Sequence, residues 1–186
     1  MAIEPRPHRF TVDQYEQMGT AGIFHEDDRV ELLDGAIVEM NPIGSPHFRC
    51  VNRLTMLLAP ALAGRGAIVS VQNPVKLGEY WMPQPDVVLL RERADDYAGR
   101  QAGPDDVLLL IEVSDSSLPY DRAKLSAYAR FGVAEVWLVD LNGELILRHR
   151  EPVGDYYGLV RAYRRGETVS PQFRPELTLD VETILP

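Results

Sequence analysis

Two short apolar runs stand out along the chain, and each is bounded by one carboxylate. Residues 87–90 follow Asp86, and residues 107–111 precede Glu112. Continuous runs of Val, Ile and Leu of this length predict central strands that are covered on both faces. An ionised acid at the end of such a strand is costly unless something compensates its charge. The two acids therefore indicate a shared partner, most simply a divalent cation.

The chemistry of this pair narrows the kind of cation. Both candidate ligands are oxygen atoms, which favours Mg²⁺ or Mn²⁺ over zinc, because hard cations prefer carboxylate and carbonyl oxygens. The four histidines show no ligand spacing, and Cys50 has no partner cysteine, so no zinc site is predicted. A metal-dependent reaction on phosphate is the function that the pattern favours.

The remaining pattern before the carboxylate strands alternates helices and strands. Thr11 has capping-box spacing and opens a short helix that fades at Gly19. Residues 29–33 and 36–40 flank Asp34-Gly35, a strong two-residue hairpin signal. Ser45-Pro46 supplies an N-cap and a proline for a second helix, whose inward stripe starts at His47. A strand at 67–71 follows that helix.

After the carboxylate strands a third helix ends at Phe131, with Gly132 as its expected C-terminal cap. Residues 135–140 and 144–149 predict a hairpin. Beyond Glu151 the hydrophobic pattern is weaker. It predicts short strands at 157–163 and 167–170 and a last edge element at 177–180. Together these elements predict an α/β fold with a mixed β-sheet flanked by helices and β-hairpins near both ends.

Composition places the chain among ordinary globular proteins. A length of 186 residues, with 45% hydrophobic and 25% charged residues, predicts a single domain over 1–186. Neither an apolar signal-peptide core nor an apolar run of about 18 residues is present, so we expect a cytoplasmic protein without a membrane partner. The lone Cys50 cannot form an internal disulfide.

The motif around the two acids resembles the PD-(D/E)xK nuclease superfamily. Pro85-Asp86 and Glu112-Val113 match its pattern, while Ser114 stands where the motif has lysine. Lys124, ten residues after Ser114, is a candidate replacement. A relocated lysine is similar to the Uma-type family of proposed restriction endonucleases, and that likeness extends over roughly residues 10 to 150. Further segments similar to this family are 29–35, 45–47 and 132–140.

The resemblance implies a restriction-endonuclease-like core and a role for each site residue. Asp86, Glu112 and the carbonyl of Val113 would hold Mg²⁺ or Mn²⁺, and Lys124 would orient the attacking water and stabilise the transition state. Glu31 would be a third acidic residue of the catalytic site. The resemblance also implies DNA as the substrate and a homodimer as the assembly. Further candidates for substrate contact or support of the ligands are His47, Ser114 and Tyr128.

Each candidate also has a structural interpretation. Asp86 could cap a turn, and Glu31 could lie on the polar face of a hairpin strand. Lys124 falls on the inward stripe of its helix, but an ion pair with Asp121 three residues earlier is the alternative. His47 could be a hydrogen-bonded histidine near a helix start. Tyr128 fits the core better than catalysis, Ser114 could point to a small cavity, and Glu135 and Asp140 are interpreted as structural.

Three functions remain open from the sequence. The first is a Mg²⁺-dependent endonuclease that hydrolyses phosphodiester bonds in DNA. The second is a catalytically inactive nuclease-fold protein with a binding or regulatory role, which the displaced lysine and the net charge of −9 favour. The third is a hydrolase of small phosphodiesters, which suits an acidic protein better than long DNA does. Acids clustered around bound cations would reconcile the charge with the first function.

Overall fold

A six-stranded mixed sheet forms the centre of the protein in the computed structural model, which describes residues 7–25, 27–40, 42, 44–115 and 118–186. In chain order the helices and strands are α1 (Val12–Thr20), β1 (Val30–Leu33), β2 (Ala36–Glu39), α2 (Ser45–Leu62), β3 (Ala67–Val71), β4 (Val87–Arg91), β5 (Val107–Ser114), α3 (Leu118–Arg130), β6 (Glu135–Asp140), β7 (Leu145–Val153), β8 (Tyr156–Arg164), β9 (Thr168–Val169), β10 (Leu179–Asp180) and α4 (Val181–Ile184). The central sheet has the order β3-β4-β5-β6-β7-β8. Only β5 and β6 run parallel, because α3 connects them.

Alternation along the central strands divides the core between two faces of the sheet. Leu109 and Ile111 of β5 pack toward α2 and α4, whereas Leu110 packs toward α3. Successive strand residues point to opposite faces, so a strand covered on both sides is apolar at nearly every position. Glu112 shares the face of Leu110 and therefore points toward α3.

The β1–β2 hairpin turns at the residues that the sequence identified. Asp34 and Gly35 have φ angles of 52° and 78°, the two positive values that a type I′ turn requires. A Cβ at Gly35 would also lie 2.7 Å from the Cβ of Arg9. The hairpin joins the rest of the protein through a bridge between Leu32 and Met82, which brings β1 beside the segment that leads to Asp86.

The predicted α/β class is confirmed: a mixed sheet is flanked by helices, and hairpins lie before and after it. Two details differ from the sequence prediction. Gly44, not Ser45, is the N-cap of α2, because the helical turn already includes Ser45. The C-terminal hairpin is longer than predicted, since β7 and β8 pair over nine residues each around the Gly154-Asp155 turn. No helix within the described ranges is long and apolar enough to cross a membrane.

The stability of this core is testable on α2. Leu54 is fully buried and Met56 is 76% exposed on the same helix. We expect Leu54→Ala to lower the free energy of unfolding by about 2 to 5 kcal/mol through lost burial and a residual cavity. Met56→Ala should change it by less than about 0.5 kcal/mol. Urea unfolding followed by circular dichroism measures both; equal effects would contradict the assigned faces of α2.

Candidate active site

A pocket of about 150 Å³ opens at the end of the central sheet where β5 finishes and β4 begins. Its lining brings together Asp86, Glu112, Val113, Lys124 and His47. These residues come from β5, from α2 and α3, and from the position directly before β4, so only the tertiary fold makes them neighbours. Glu31 reaches the same group through hydrogen bonds and an ion pair described below. The sequence candidates thus form one cluster.

Asp86 directly precedes β4 and is 6% exposed. Its Oδ2 accepts hydrogen bonds from the Val113 backbone N–H at 2.9 Å and from His47 Nε2 at 2.9 Å. Oδ1 accepts only a longer contact, 3.3 Å, from Gln72 Nε2 among the described residues. One carboxylate oxygen is therefore fixed by the protein, while the other is weakly engaged.

Glu112 has a similar division between its two oxygens. Oε1 accepts hydrogen bonds from Lys124 Nζ at 2.7 Å and from the Tyr128 hydroxyl. Among the described residues, no hydrogen bond involves Oε2. Burial raises the pKa of Glu112 to about 7, and the negative charges of Asp86 and Asp121 add to this, against the opposing effect of Lys124.

Lys124 is buried, with 2% of its surface exposed, and lies between two carboxylates. Its Nζ is 2.7 Å from Glu112 Oε1 and 3.3 Å from Glu31 Oε2. Burial alone would lower its pKa, but the charges of Glu112 and Glu31 outweigh burial and raise the pKa above its ordinary value. The side chain is therefore a permanent ammonium at neutral pH.

Glu31 lies in the interior of the site and not on a solvated face of the β1–β2 hairpin. Its Oε2 accepts the Gln84 backbone N–H at 2.8 Å, and its Oε1 accepts the Tyr120 hydroxyl. Lys124 approaches both of its oxygens, at 3.3 Å and 3.4 Å. Both oxygens are thus occupied by protein donors, which makes this carboxylate a counter-ion of the lysine and a poor additional metal ligand.

His47 stands at the first turn of α2 with Nε2 on Asp86. Burial would lower its pKa, but the hydrogen bond and the charge of Asp86 outweigh burial and raise the pKa above its ordinary value. Its Nδ1 is buried without a hydrogen-bond partner among the described residues. The imidazole therefore orients Asp86 from the helix.

The other candidates also fall at the site or directly behind it. Tyr128 is fully buried and its hydroxyl donates to Glu112, so a core tyrosine also contacts the site. The Ser114 hydroxyl is buried and has no hydrogen-bond partner within the described residues. The two acids interpreted as structural do bond to scaffold groups: Glu135 accepts from Trp137 Nε1 and Asp140 accepts from the Gly143 N–H.

Sequence reasoning missed three residues that support the carboxylates. Tyr120 donates to Glu31, Gln72 donates to Asp86, and Gln84 donates its backbone N–H to Glu31 and its side chain to the Gln72 carbonyl at 2.6 Å. Gln72 has a φ of 51°, which is uncommon for a residue with a side chain and concentrates at functional sites. Tyr120 precedes Lys124 by one helical turn, and this spacing was the available signal for it.

The donor set suits a hard cation with few protein ligands. Within the described residues, no group of three or more His, Cys, Asp and Glu side chains is arranged to hold a metal. Mg²⁺ usually retains several waters and takes only one or two carboxylates from the protein. Asp86 Oδ1 and Glu112 Oε2 are two carboxylate oxygens that protein donors among the described residues leave weakly engaged or unengaged.

The fold is a mixed α/β sheet with an acidic pocket at one end, and comparison with known proteins gives the family of the chain. Residues 12–182 match the model of the Uma2 family, whose description is "Putative restriction endonuclease", and the chain belongs to this family. The resemblance inferred from the sequence is therefore confirmed.

A solved structure supports the same fold. A protein from Anabaena variabilis ATCC 29413, described as "a putative nuclease belonging to DUF820", matches with a TM-score of 0.75 and 15% sequence identity. The match covers 94% of this chain and 97% of that one. No curated protein matches the chain.

The electrostatics of the site give a pH-dependent prediction. The pKa of Glu112 is raised from 4.5 to about 7 in the folded protein, so ionising it should lower the unfolding free energy progressively across that range. Lys124→Met should raise this pKa further, because the cation that favours the carboxylate is lost. Arg122→Met, on the exposed side of α3, is the control. A ¹³C NMR titration measures the pKa of the Glu112 carboxyl group in both variants. An unchanged or lower pKa in Lys124→Met would contradict the electrostatic coupling between Lys124 and Glu112.

Proposed function

We propose that the protein is a metal-dependent endonuclease that hydrolyses phosphodiester bonds of DNA with Mg²⁺ or Mn²⁺ as its cofactor. The observation that carries the proposal is that two carboxylates at one pocket share the same pattern of hydrogen bonding. Asp86 and Glu112 each have one oxygen held by protein donors, and the second oxygen is weakly engaged or unengaged. Membership of the Uma2 family supports the nuclease assignment.

Asp86, Glu112 and the carbonyl of Val113 would hold the cation. When bound, the ion supplies Lewis-acid stabilisation for the negative charge on the reacting phosphate. The Val113 N–H fixes Asp86 Oδ2, and this bond couples the strand that carries Glu112 to the residue that precedes β4. The two ligands therefore have their relative positions set by the backbone before any cation arrives.

Lys124 acts in this proposal as an electrostatic stabiliser. Its raised pKa means that it retains its proton at neutral pH, so it cannot serve as the general base. A fixed ammonium beside Glu112 instead favours the charge that develops on the phosphate, and it orients the attacking water. Glu31 holds the lysine in place through the ion pair, and the Tyr120 hydroxyl fixes Glu31 by donating a hydrogen bond to it.

His47, Tyr128 and Ser114 complete the proposed machinery in different ways. His47 orients Asp86 through Nε2, and Tyr128 orients Glu112 through its hydroxyl. Ser114, at the position of the motif lysine, is too short to replace its ammonium. We propose that the whole chain is one domain of a cytoplasmic protein, and the family resemblance implies that it forms a homodimer.

Metal binding gives the first test of this proposal. We expect calorimetric titration with Mn²⁺ to detect binding to the unmodified protein, with affinity falling below pH of about 7 because Glu112 must lose its proton. Asp86→Asn should weaken binding at least as much as the ~10 to 100-fold typical of residues that only support ligands. Asp140→Asn, another buried strand-end acid, is the matched control. Unchanged affinity in Asp86→Asn would refute the proposed ligand set.

The lysine gives the second test, in a Mn²⁺-dependent DNA cleavage assay. Lys124→Ala should lower the cleavage rate by about 10²-fold or more, the scale seen when one electrostatic stabiliser of a transition state is removed. Arg122→Ala, on the solvent side of α3, should cleave normally, and Mn²⁺ affinity should hardly change in either variant. Equal rates for the two variants would remove Lys124 from the mechanism.

The same measurements separate the endonuclease from its alternatives. Metal binding without cleavage of varied DNA substrates would favour the catalytically inactive nuclease-fold protein. Cleavage of small phosphodiesters but not of DNA would favour the small-substrate hydrolase, which the net charge of −9 accommodates more easily.

A further inference from the structure

The β7–β8 hairpin is basic in a chain that is acidic overall. Residues 145–164 contain four arginines and two acids, whereas the whole chain has a net charge of −9. Two of these arginines, Arg148 of β7 and Arg161 of β8, lie directly opposite each other across the strand pair. Like charges at directly opposed positions are destabilising, so this pair costs stability unless an anion compensates it.

One aromatic ring supports both guanidinium groups. The Cζ atoms of Arg148 and Arg161 lie 4.8 Å and 4.5 Å from the centroid of the Tyr163 ring. Tyr163 is 3% exposed, so packing fixes the ring beneath the two cations. Because both distances end at one centroid, the two Cζ atoms are no more than about 9.3 Å apart. A single phosphate group can bridge that span with charge-assisted hydrogen bonds of about 2.8 Å on each side.

Acidic side chains of the protein compensate this pair only weakly. Glu167 accepts the Arg164 backbone N–H at 2.7 Å and reaches Arg161 only at 3.5 Å. Arg148 forms no ion pair with any carboxylate in the described part of the chain. The two guanidinium groups therefore keep most of their capacity to bind an anion.

The surroundings of Arg148 add to this imbalance. Partial burial lowers the pKa of its guanidinium, and the positive charges of Arg150 and Arg161 lower it further, against the opposing effects of Tyr163 and Glu135. Glu135 is itself held by Arg150 at 2.9 Å. An anion that binds beside Arg148 thus meets a positive field that the protein does not neutralise.

We propose that Arg148 and Arg161 form a binding site for one phosphate group of a nucleic-acid backbone, outside the catalytic pocket. Arginine suits this role because its planar guanidinium forms paired hydrogen bonds with phosphate oxygens. The site itself stands on the geometry of the arginine pair. It rests on the proposed function only for the source of the phosphate.

The sheet register places this site within reach of a strand bound at the pocket. The row of paired residues next to Glu112 runs through Ile111, Trp137, Arg148 and Arg161. Strands lie about 4.8 Å apart, so the backbones of the two arginines are roughly 10 and 14 Å from β5. Trp137 packs on the α2 side of the sheet, and His47 of α2 lines the pocket. One nucleic-acid strand carries a phosphate per about 3.4 Å of helix axis, so phosphates about three or four positions from the reacting one fall at this distance.

Inorganic phosphate tests the site without DNA or catalysis. We expect phosphate to raise the midpoint of thermal unfolding of the full-length protein, because a ligand that binds the folded state stabilises it. The rise should be smaller in the double variant Arg148→Gln/Arg161→Gln. An equal rise in the double variant and the unmodified protein would overturn the site.

Arg130→Gln is the matched control for this measurement. Phosphate also stabilises proteins by its exclusion from their surface, and that effect should be the same in every variant. The Arg130 side chain is 49% exposed, against 58% for Arg161, but it has a close acidic partner in Asp155 at 2.9 Å. Arg130→Gln should therefore keep the full response of the unmodified protein to phosphate.

DNA binding then tests the source of the phosphate. Fluorescence anisotropy of a labelled duplex is followed over a range of salt concentrations in EDTA, which prevents metal-dependent cleavage. Loss of one phosphate contact in the double glutamine variant should weaken binding at low salt by roughly tenfold. It should also make the slope of log K against log salt less negative by about 0.9. Lysine at both positions keeps the charges and should keep the slope, a rescue that a merely structural role would not produce.

The outcomes separate this site from the nuclease assignment, because neither measurement involves cleavage. A salt slope that is unchanged in the double glutamine variant, or the absence of DNA binding by the unmodified protein, would overturn nucleic acid as the source of the phosphate. If the response to inorganic phosphate were lost in the same variant, the site would belong to a free phosphate ligand. Failure of the endonuclease proposal would appear separately, in the Mn²⁺-dependent cleavage assay.

Discussion

The buried ion pair between Lys124 and its two carboxylates is the interaction on which the rest of the site depends. A charged lysine with 2% exposure is tolerated only because Glu112 lies 2.7 Å from its Nζ and Glu31 lies 3.3 Å away. Removing either acid would leave a buried charge undercompensated. The pair also ties α3 to β5 and to the β1–β2 hairpin, so the three elements that surround the pocket are held by one ammonium group.

In the same low-dielectric surroundings, the three acids of the site differ in how fully protein donors engage them. Glu31 is saturated by protein donors, whereas Asp86 and Glu112 each retain an oxygen with little or no engagement. Burial then opposes ionisation of Glu112 and raises its pKa to about 7, which a divalent cation would reverse. Protein donors therefore fix the geometry of the carboxylates, while the remaining electrostatic cost is left for a cation to compensate. A cation bound there would offset part of the net charge of −9 that the chain carries.

The end of the central sheet that carries the pocket differs from the edge that β8 forms. The carboxylate end carries the pocket and is crowded by α2, α3 and the β1–β2 hairpin. The long β7–β8 hairpin forms one edge of the sheet, where β8 pairs with β7 alone among the described strands.

The sequence by itself determined the elements whose signals are local. Continuous apolar runs identified β4 and β5, Asp34-Gly35 identified the hairpin turn, and the helical stripe placed Lys124 facing inward. The end of β7 was missed: the sequence predicted that this strand ends at His149, but it continues to Val153, because an exposed hairpin needs no strong apolar alternation to form. The strand predicted at 157–163 differs from β8 by one residue at each end. Only the tertiary structure decided the partners. Glu31 lies 93 residues before Lys124, and Gln72 and Tyr120 carry no distinctive pattern, so their hydrogen bonds to the acids arise from long-range packing that no local sequence signal encodes.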